Sequence, residues 1–308
     1  MKTQSSPASK RGFTLMELMV AMAITTIIVT VLVSITSIAL DTWNRSRAEL
    51  RASRQAKSMI DTMARDFESL VTRSGNENQW LSAMAPTQTI GGKLKSTNAS
   101  ELIFFTAVTD RYEGKIGDPT ADKGGDVSCV GYKLEYRDPI GGTGTAFETF
   151  VLNRLLVNPD ETFDELLGEP DLVDAFSSYS TKLSNVENFV CENVFQFTVT
   201  FHVQVTKTTS TGSTVIQVPV TVGQSPGDQV SDEFSIKGTG IEADITSSAV
   251  TADELRGGKL VAMEIAVTVI SDYGIDQLRN RTFTAVEQAD FLAKNSYQYT
   301  KLVQLPSM

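Results

Sequence analysis

The chain has 308 residues, 41% of them hydrophobic, and a formal net charge of −10. That apolar fraction excludes a disordered chain, and the acidic balance lacks the basic face that nucleic-acid binding normally shows. One histidine, two cysteines and no phosphate-binding glycine loop or nucleotide fingerprint leave little for enzyme or metal chemistry.

Residues 1–12 form a polar leader whose only charges are Lys2, Lys10 and Arg11. From Phe13 to Leu40 the chain runs 28 residues with one charge, Glu17, and no Gly or Pro. Such a run is long enough to cross a bilayer as one helix. A lone acid within it is costly, roughly 2.5–3.5 kcal/mol for Asp at the bilayer centre on insertion scales. A chain that keeps Glu17 there is expected to need it for a partner. A cleaved secretory signal would have a shorter apolar core with its small-residue cleavage site behind it. A plain anchor fits the length but leaves Glu17 without a reason. The basic leader places the N-terminus in the cytoplasm and the bulk of the chain outside.

Beyond Leu40 the apolar run becomes amphipathic. Ile60, Met63, Phe67, Leu70 and Val71 follow three- and four-residue steps, one buried helical face, and Leu50, Ala56 and Met59 extend it backwards less regularly. With no Gly or Pro before Gly75, the pattern predicts one helix over 14–73, roughly 60 residues and about 90 Å long. Trp43 marks the apolar boundary, where an interfacial Trp is expected. Arg45, Arg47, Arg51, Arg54 and Lys57 follow, against the single Glu49. They read either as a contact for acidic subunits or lipid headgroups, or as a solvated helix face.

The remainder reads as strands with polar loops: residues 101–107, 127–136, 150–157, 194–206, 214–222 and 260–271. Phe195, Phe197, Val199, Phe201, Val203 and Val205 alternate with polar residues, which means a strand with one buried face. Residues 263–269 alternate less cleanly, as expected of burial on both sides. Short helices are predicted near 162–167 and 286–295, the second with Thr284 and Glu287 in capping-box spacing. Residues 114–126, 208–213 and 222–232 read as loops, the middle one a hairpin turn. His202, the lone histidine, falls on the polar face of a strand and reads as a solvent-facing sheet residue.

Cys129 and Cys191 sit in or beside predicted strands. Either they form a disulfide, closing a loop of about 60 residues and worth roughly 4 kcal/mol, or they are two separate buried thiols. Asp118, Asp122 and Asp126 share a Gly-rich loop. Calcium is the metal they would suit, but their spacing fits no calcium-loop pattern and Lys123 stands among them. A solvated acidic loop is therefore expected, with no cofactor. Asp160, Glu161, Asp164 and Glu165 read as an exposed helix end.

The stretch KRGFTLMELMV (residues 10–20) resembles the type IV prepilin signal of type IV pilins and type II secretion pseudopilins. The resemblance implies cleavage by a prepilin peptidase between Gly12 and Phe13, N-methylation of Phe13, and pairing of Glu17 with the terminal amine of a neighbouring subunit. It implies a pilin-like α+β fold: a leader 1–12, a long helix 13–74 whose first part 13–40 is transmembrane or fibre core, and an extracytoplasmic β-rich domain 75–308. The implied partners are the peptidase, other pilin or pseudopilin subunits, an inner-membrane assembly platform and membrane lipid. Roughly 230 residues beyond the helix are many for a main fibre subunit, which points to a minor one. The helix segment AELRASRQAKSMIDTMARDFESLV and the late strand KLVAMEIAVTVISDYG are similar to J-type minor pseudopilins. The C protein of the Verru_Chthon cassette is a second match, and the insertion at 139–180 departs from the J-type pattern. Two functions follow: an assembly subunit of a secretion or pilus-like machine, or an adhesin displayed on a pilus tip. A membrane-anchored enzyme would need a polar constellation that the sequence does not offer.

Overall fold

The computed structural model describes residues 14–86, 90–91, 95–96, 98–108, 125–140, 147–209, 212–223, 228–246 and 249–305. A single helix α1 (Leu15–Glu68) opens the chain. It is the one helix among the described residues long and apolar enough to cross a membrane. Two compact units divide the chain between Ala48 and Glu49, so the second half of α1 belongs with the β-rich domain.

That domain is built from two sheets. Strands β1 (Gln79–Met84), the short pair β2 (Ile90–Gly91) and β3 (Lys95–Ser96), β4 (Glu101–Thr106), β5 (Ser128–Arg137) and β6 (Thr149–Val157) come first. A helical insertion follows: α2 (Pro159–Glu161) continuing into a π-turn Thr162–Leu166, then α3 (Leu172–Phe176) and α4 (Ser180–Leu183). Next are β7 (Phe189–Glu192), β8 (Val194–Thr209), β9 (Gly212–Val222), β10 (Val230–Ser231), β11 (Glu233–Lys237) and β12 (Gly240–Ala243). Helix α5 (Ala252–Arg256), β13 (Lys259–Ile270), α6 (Asp272–Asn280), α7 (Ala285–Asn295) and β14 (Ser296–Gln304) complete the chain. The first sheet has the order β12-β11-β1-β4-β5-β6-β7 and the second β10-β9-β8-β13-β14. Every pairing in them is antiparallel except β10 with β9.

The two sheets bury their faces differently, and the sequence shows why. The first sheet is covered on both sides. One face (Leu102, Phe104, Val130, Leu152) meets α1 and the second sheet, while the other (Ile103, Phe105, Cys129, Val157) lies under the insertion helices. Its central strands therefore carry stretches buried residue after residue, such as LIFF at 102–105, as strands buried on both faces do. Gly131 is the entry point for the insertion, since a Cβ there would fall 2.5 Å from the Phe176 ring. The second sheet buries one face only, so β8 alternates along its length. β13 alternates as well, with Met263, Ile265, Val267 and Val269 buried and the residues between them half-buried, which corrects the expectation of burial on both sides.

Phe201 and Phe234 stack across the sheets at 4.1 Å between ring centroids, and Phe67 of α1 packs edge-on against Phe104 at 5.6 Å. The buried stripe of α1 runs Ala52, Ala56, Met59, Ile60, Met63, Ala64 and Phe67, whereas Leu50 is exposed. The helix ends five residues before the predicted 73. Leu70 bridges to Thr106, and the Val71 N–H donates to the Phe105 carbonyl at 2.9 Å. Those two apolar residues keep the helical period but are drawn onto β4. The 208–213 loop is the hairpin expected, with Thr209 opposite Gly212. Helix α7 carries the full Thr284–Glu287 capping box.

Candidate assembly site

Gly12 and Phe13, the expected processing pair, lie outside the described residues. Thr14 and Glu17 do not, and they form a reciprocal cap at the start of α1. The Thr14 N–H and hydroxyl each donate to Glu17 Oε2 at 2.9 Å, and the Glu17 N–H donates to Thr14 Oγ1 at 3.3 Å. This is the S/T-x-x-E box, at the helix end where free N–H groups and the macrodipole favour an anion. Glu17 is thus fixed beside the residue that follows Phe13.

From Leu15 to Leu40 the side chains are exposed throughout. Most of the hydroxyls that interrupt this apolar surface are satisfied within the helix. Those of Thr25, Thr26, Thr30, Ser34, Thr36 and Thr42 each donate to the carbonyl four residues earlier, at 2.7–2.9 Å. A hydroxyl bonded in this way costs little in hydrocarbon. The surface is therefore suited to lipid or to the apolar helices of other subunits.

The basic stretch is partly engaged. Arg51 bonds Glu192 at 2.8 Å and lies 3.7 Å from Asp272, while Arg54 and Lys57 face solvent. Deeper in the domain, α1 is held by a charge that sequence reasoning missed. Asp66 is 2% exposed. Arg154 of β6 grips both its oxygens, Nε to Oδ2 at 2.7 Å and Nη2 to Oδ1 at 3.0 Å. The Tyr132 hydroxyl of β5 donates to Oδ2 at 2.5 Å. Burial and the Asp66 carboxylate push the Tyr132 phenol well above its usual range, so it stays a donor. The Thr106 hydroxyl donates to the Asp66 carbonyl at 2.7 Å, satisfying one of the helix's last free acceptors. Lys301 of β14 adds a surface tie to Asp61 at 2.6 Å.

The remaining candidates are accounted for singly. Of the two readings of the cysteines, the structure has the separate buried thiols and not the disulfide: both are free and buried. Cys129 stands opposite Val157 and Cys191 opposite Leu152, positions separated by about 16 Å of strand β6. Their odd spacing also puts the two thiols on opposite faces of the sheet, so no bond can form without breaking it. Asp118 and Asp122 lie outside the described residues, and Asp126 is exposed. Of the four acids in the insertion, Glu165 accepts from the Tyr179 hydroxyl at 2.6 Å and Glu161 pairs with Lys182 at 3.3 Å. His202 lies on the outer face of β8 but is only 19% exposed, with Glu264 at 3.8 Å.

Residues 7–33 match the prokaryotic N-terminal methylation motif, a span that includes Gly12, Phe13, Thr14 and Glu17. No curated protein matches the chain. Among solved structures it is similar to a type IV-like pilin from Thermus thermophilus, at 10% identity and a TM-score of 0.31, over 83% of this chain and 97% of that one. The chain thus carries a type IV prepilin-type methylation motif at its N-terminus, followed by a long apolar helix and a domain of mainly antiparallel sheets, an α+β fold.

Proposed function

We propose that the chain is a minor pilin or pseudopilin, cut between Gly12 and Phe13 by a prepilin peptidase and N-methylated at Phe13. Before processing it spans the inner membrane once, with its N-terminus in the cytoplasm and residues 75–308 outside. Assembly then draws the 13–40 segment into a fibre core, against neighbouring subunits and the inner-membrane platform that loads them. The role is structural and requires no cofactor. The observation that carries this reading is the methylation motif over 7–33 continuing into an unbroken helix whose only charge up to Leu40 is Glu17.

Mechanistically, Glu17 would exchange one set of donors for another. In the isolated chain it accepts from Thr14; in the fibre it would pair with the amine of a neighbour's Phe13, since a charge in an apolar core needs a partner. Glu17→Ala should therefore leave cleavage of the leader intact while lowering incorporation into sheared fibres or pseudopilus complexes several-fold. Normal incorporation of that variant would remove the pairing role.

A further inference from the structure

One row of α1 is left facing solvent. Leu50, Arg54 and Lys57 follow steps of four and three and so share a helix face, turned away from the buried stripe of Ala52, Ala56 and Met59. Leu50 is 56% exposed. Arg51 beside them pairs with Glu192, whereas Arg54 and Lys57 are in no ion pair among the described residues. Arg54 is 14 residues beyond Leu40, about 21 Å of helix, while a lipid headgroup layer is roughly 5–8 Å deep. The row therefore suits a protein surface better than the bilayer.

The opposite chemistry stands on the insertion, whose residues 159–181 hold seven carboxylates and no Lys or Arg. Asp164, Glu169 and Asp174 are exposed, and Phe163 beside them is 51% exposed. Each surface thus carries one uncovered apolar side chain next to charges of one sign. The two cannot meet within one copy, because α1 lies on the inner face of the first sheet and the insertion on its outer face. The insertion also sits further along. The Gln79 N–H donates to the Glu169 carbonyl at 3.1 Å, and Gln79 is at the end of β1 that lies towards Thr106, where α1 stops. From Lys57 and Arg54 to that end is about 16–21 Å of helix.

We propose that the Leu50–Arg54–Lys57 row of one copy docks on the acidic insertion of a second copy, with Leu50 against Phe163 and the cations against Asp164, Glu169 and Asp174. This surface rests on the assembly reading above and deepens it. Unlike patches on opposite sides of a chain make a heterologous contact, which propagates instead of closing into a two-fold dimer. The copy that offers its row is displaced by about 16–21 Å along α1, with its helix parallel to the first. A fibre and a common membrane both require that arrangement. The apolar pair supplies buried area, and the charges supply orientation and encounter rate, so the contact weakens with salt.

The test uses two tagged forms of the full chain, produced together in the native host and cross-linked by a bismaleimide through engineered thiols, both native cysteines being buried. Ser58→Cys in one form and Asp164→Cys in the other should cross-link. Ser58→Cys in both, or Asp164→Cys in both, should do so far less, because the contact joins unlike faces. Adding Arg54→Glu and Lys57→Glu to the first form should lower the yield roughly three- to tenfold, the scale of two exposed ion pairs. Glu169→Lys with Asp174→Lys in the second form should then restore it. Yields indifferent to both reversals, or highest between like faces, would overturn the docking. Val33→Cys in both forms reports association through the apolar segment. Its product without the Ser58–Asp164 product would remove this surface and leave subunit assembly standing, and the absence of both products would remove both.

Discussion

Arg154 holds both carboxylate oxygens of Asp66, at 2.7 and 3.0 Å, and so fixes the last turn of α1 to the middle of the first sheet. A force passed along the helix from a fibre would reach the domain through this pair and the packing around Phe67. Breaking a buried pair leaves an uncompensated charge, which typically costs about 3–5 kcal/mol, whereas replacing both partners by apolar residues is often neutral. Asp66→Ala should therefore destabilise the domain by about 3 kcal/mol or more, and Asp66→Leu with Arg154→Met should recover most of it. Chemical denaturation of the three proteins checks this; a double variant no more stable than the single would contradict it.

Asn193 joins the last strand of the first sheet to the first strand of the second, at φ 61°. Its side chain accepts from the Thr149 hydroxyl at 2.6 Å and donates to Asp272 at 2.7 Å. Asn193→Ala should cost about 2–4 kcal/mol, from two lost bonds and a left-handed backbone. Asn193→Gly should be the milder change by about 1 kcal/mol, because glycine adopts that φ freely. Denaturation midpoints decide the order, and an equal loss in both would place the whole effect in the hydrogen bonds.

The thiols are expected to be inert in the folded protein. Burial, and for Cys191 also Glu192, pushes its thiol up to about 12, and burial raises Cys129 further. Thiolate chemistry is therefore suppressed. Iodoacetamide should modify neither cysteine until the protein is unfolded, and reductant should not shift the melting temperature. A Cys129–Cys191 cross-linked peptide from native protein would refute the strand register.

Glu287 supplies a pH dependence of known sign. The Thr284 N–H, then the Thr284 hydroxyl, hold its carboxyl below its ordinary value of 4.5. A lowered folded pKa means that the capping contribution is present above that ordinary value and is lost as pH falls through the folded one. Thr284→Ala should bring the Glu287 titration back up, as read by carboxyl NMR. An unchanged titration would separate the cap from the shift.

Much of this was visible in the residues. The long helix followed from the absence of Gly and Pro, and β8 from strict alternation. What the sequence hid has a physical reason in each case. Strands β1, β11 and β12 are short, and β14 is half polar because it forms an edge, so none carries a period of its own. Leu70 and Val71 keep the helical period yet serve a sheet. Asp66 looked like one more polar residue of an amphipathic helix, because its partners Tyr132 and Arg154 lie 66 and 88 residues away. The isolated charge of Glu17 was legible as a need for a partner, while its cap by Thr14 emerged from the geometry.

A processed assembly subunit carries the record of its processing in its N-terminal peptide. Mass spectrometry of that peptide, from inner-membrane and sheared-surface fractions of the native host, should find N-methylated Phe13 as the first residue. Its confinement to the membrane would indicate a short secretion or priming complex, and its enrichment in sheared material a displayed fibre. An intact leader beginning at Met1 in both fractions would contradict the account and leave α1 as a membrane anchor alone.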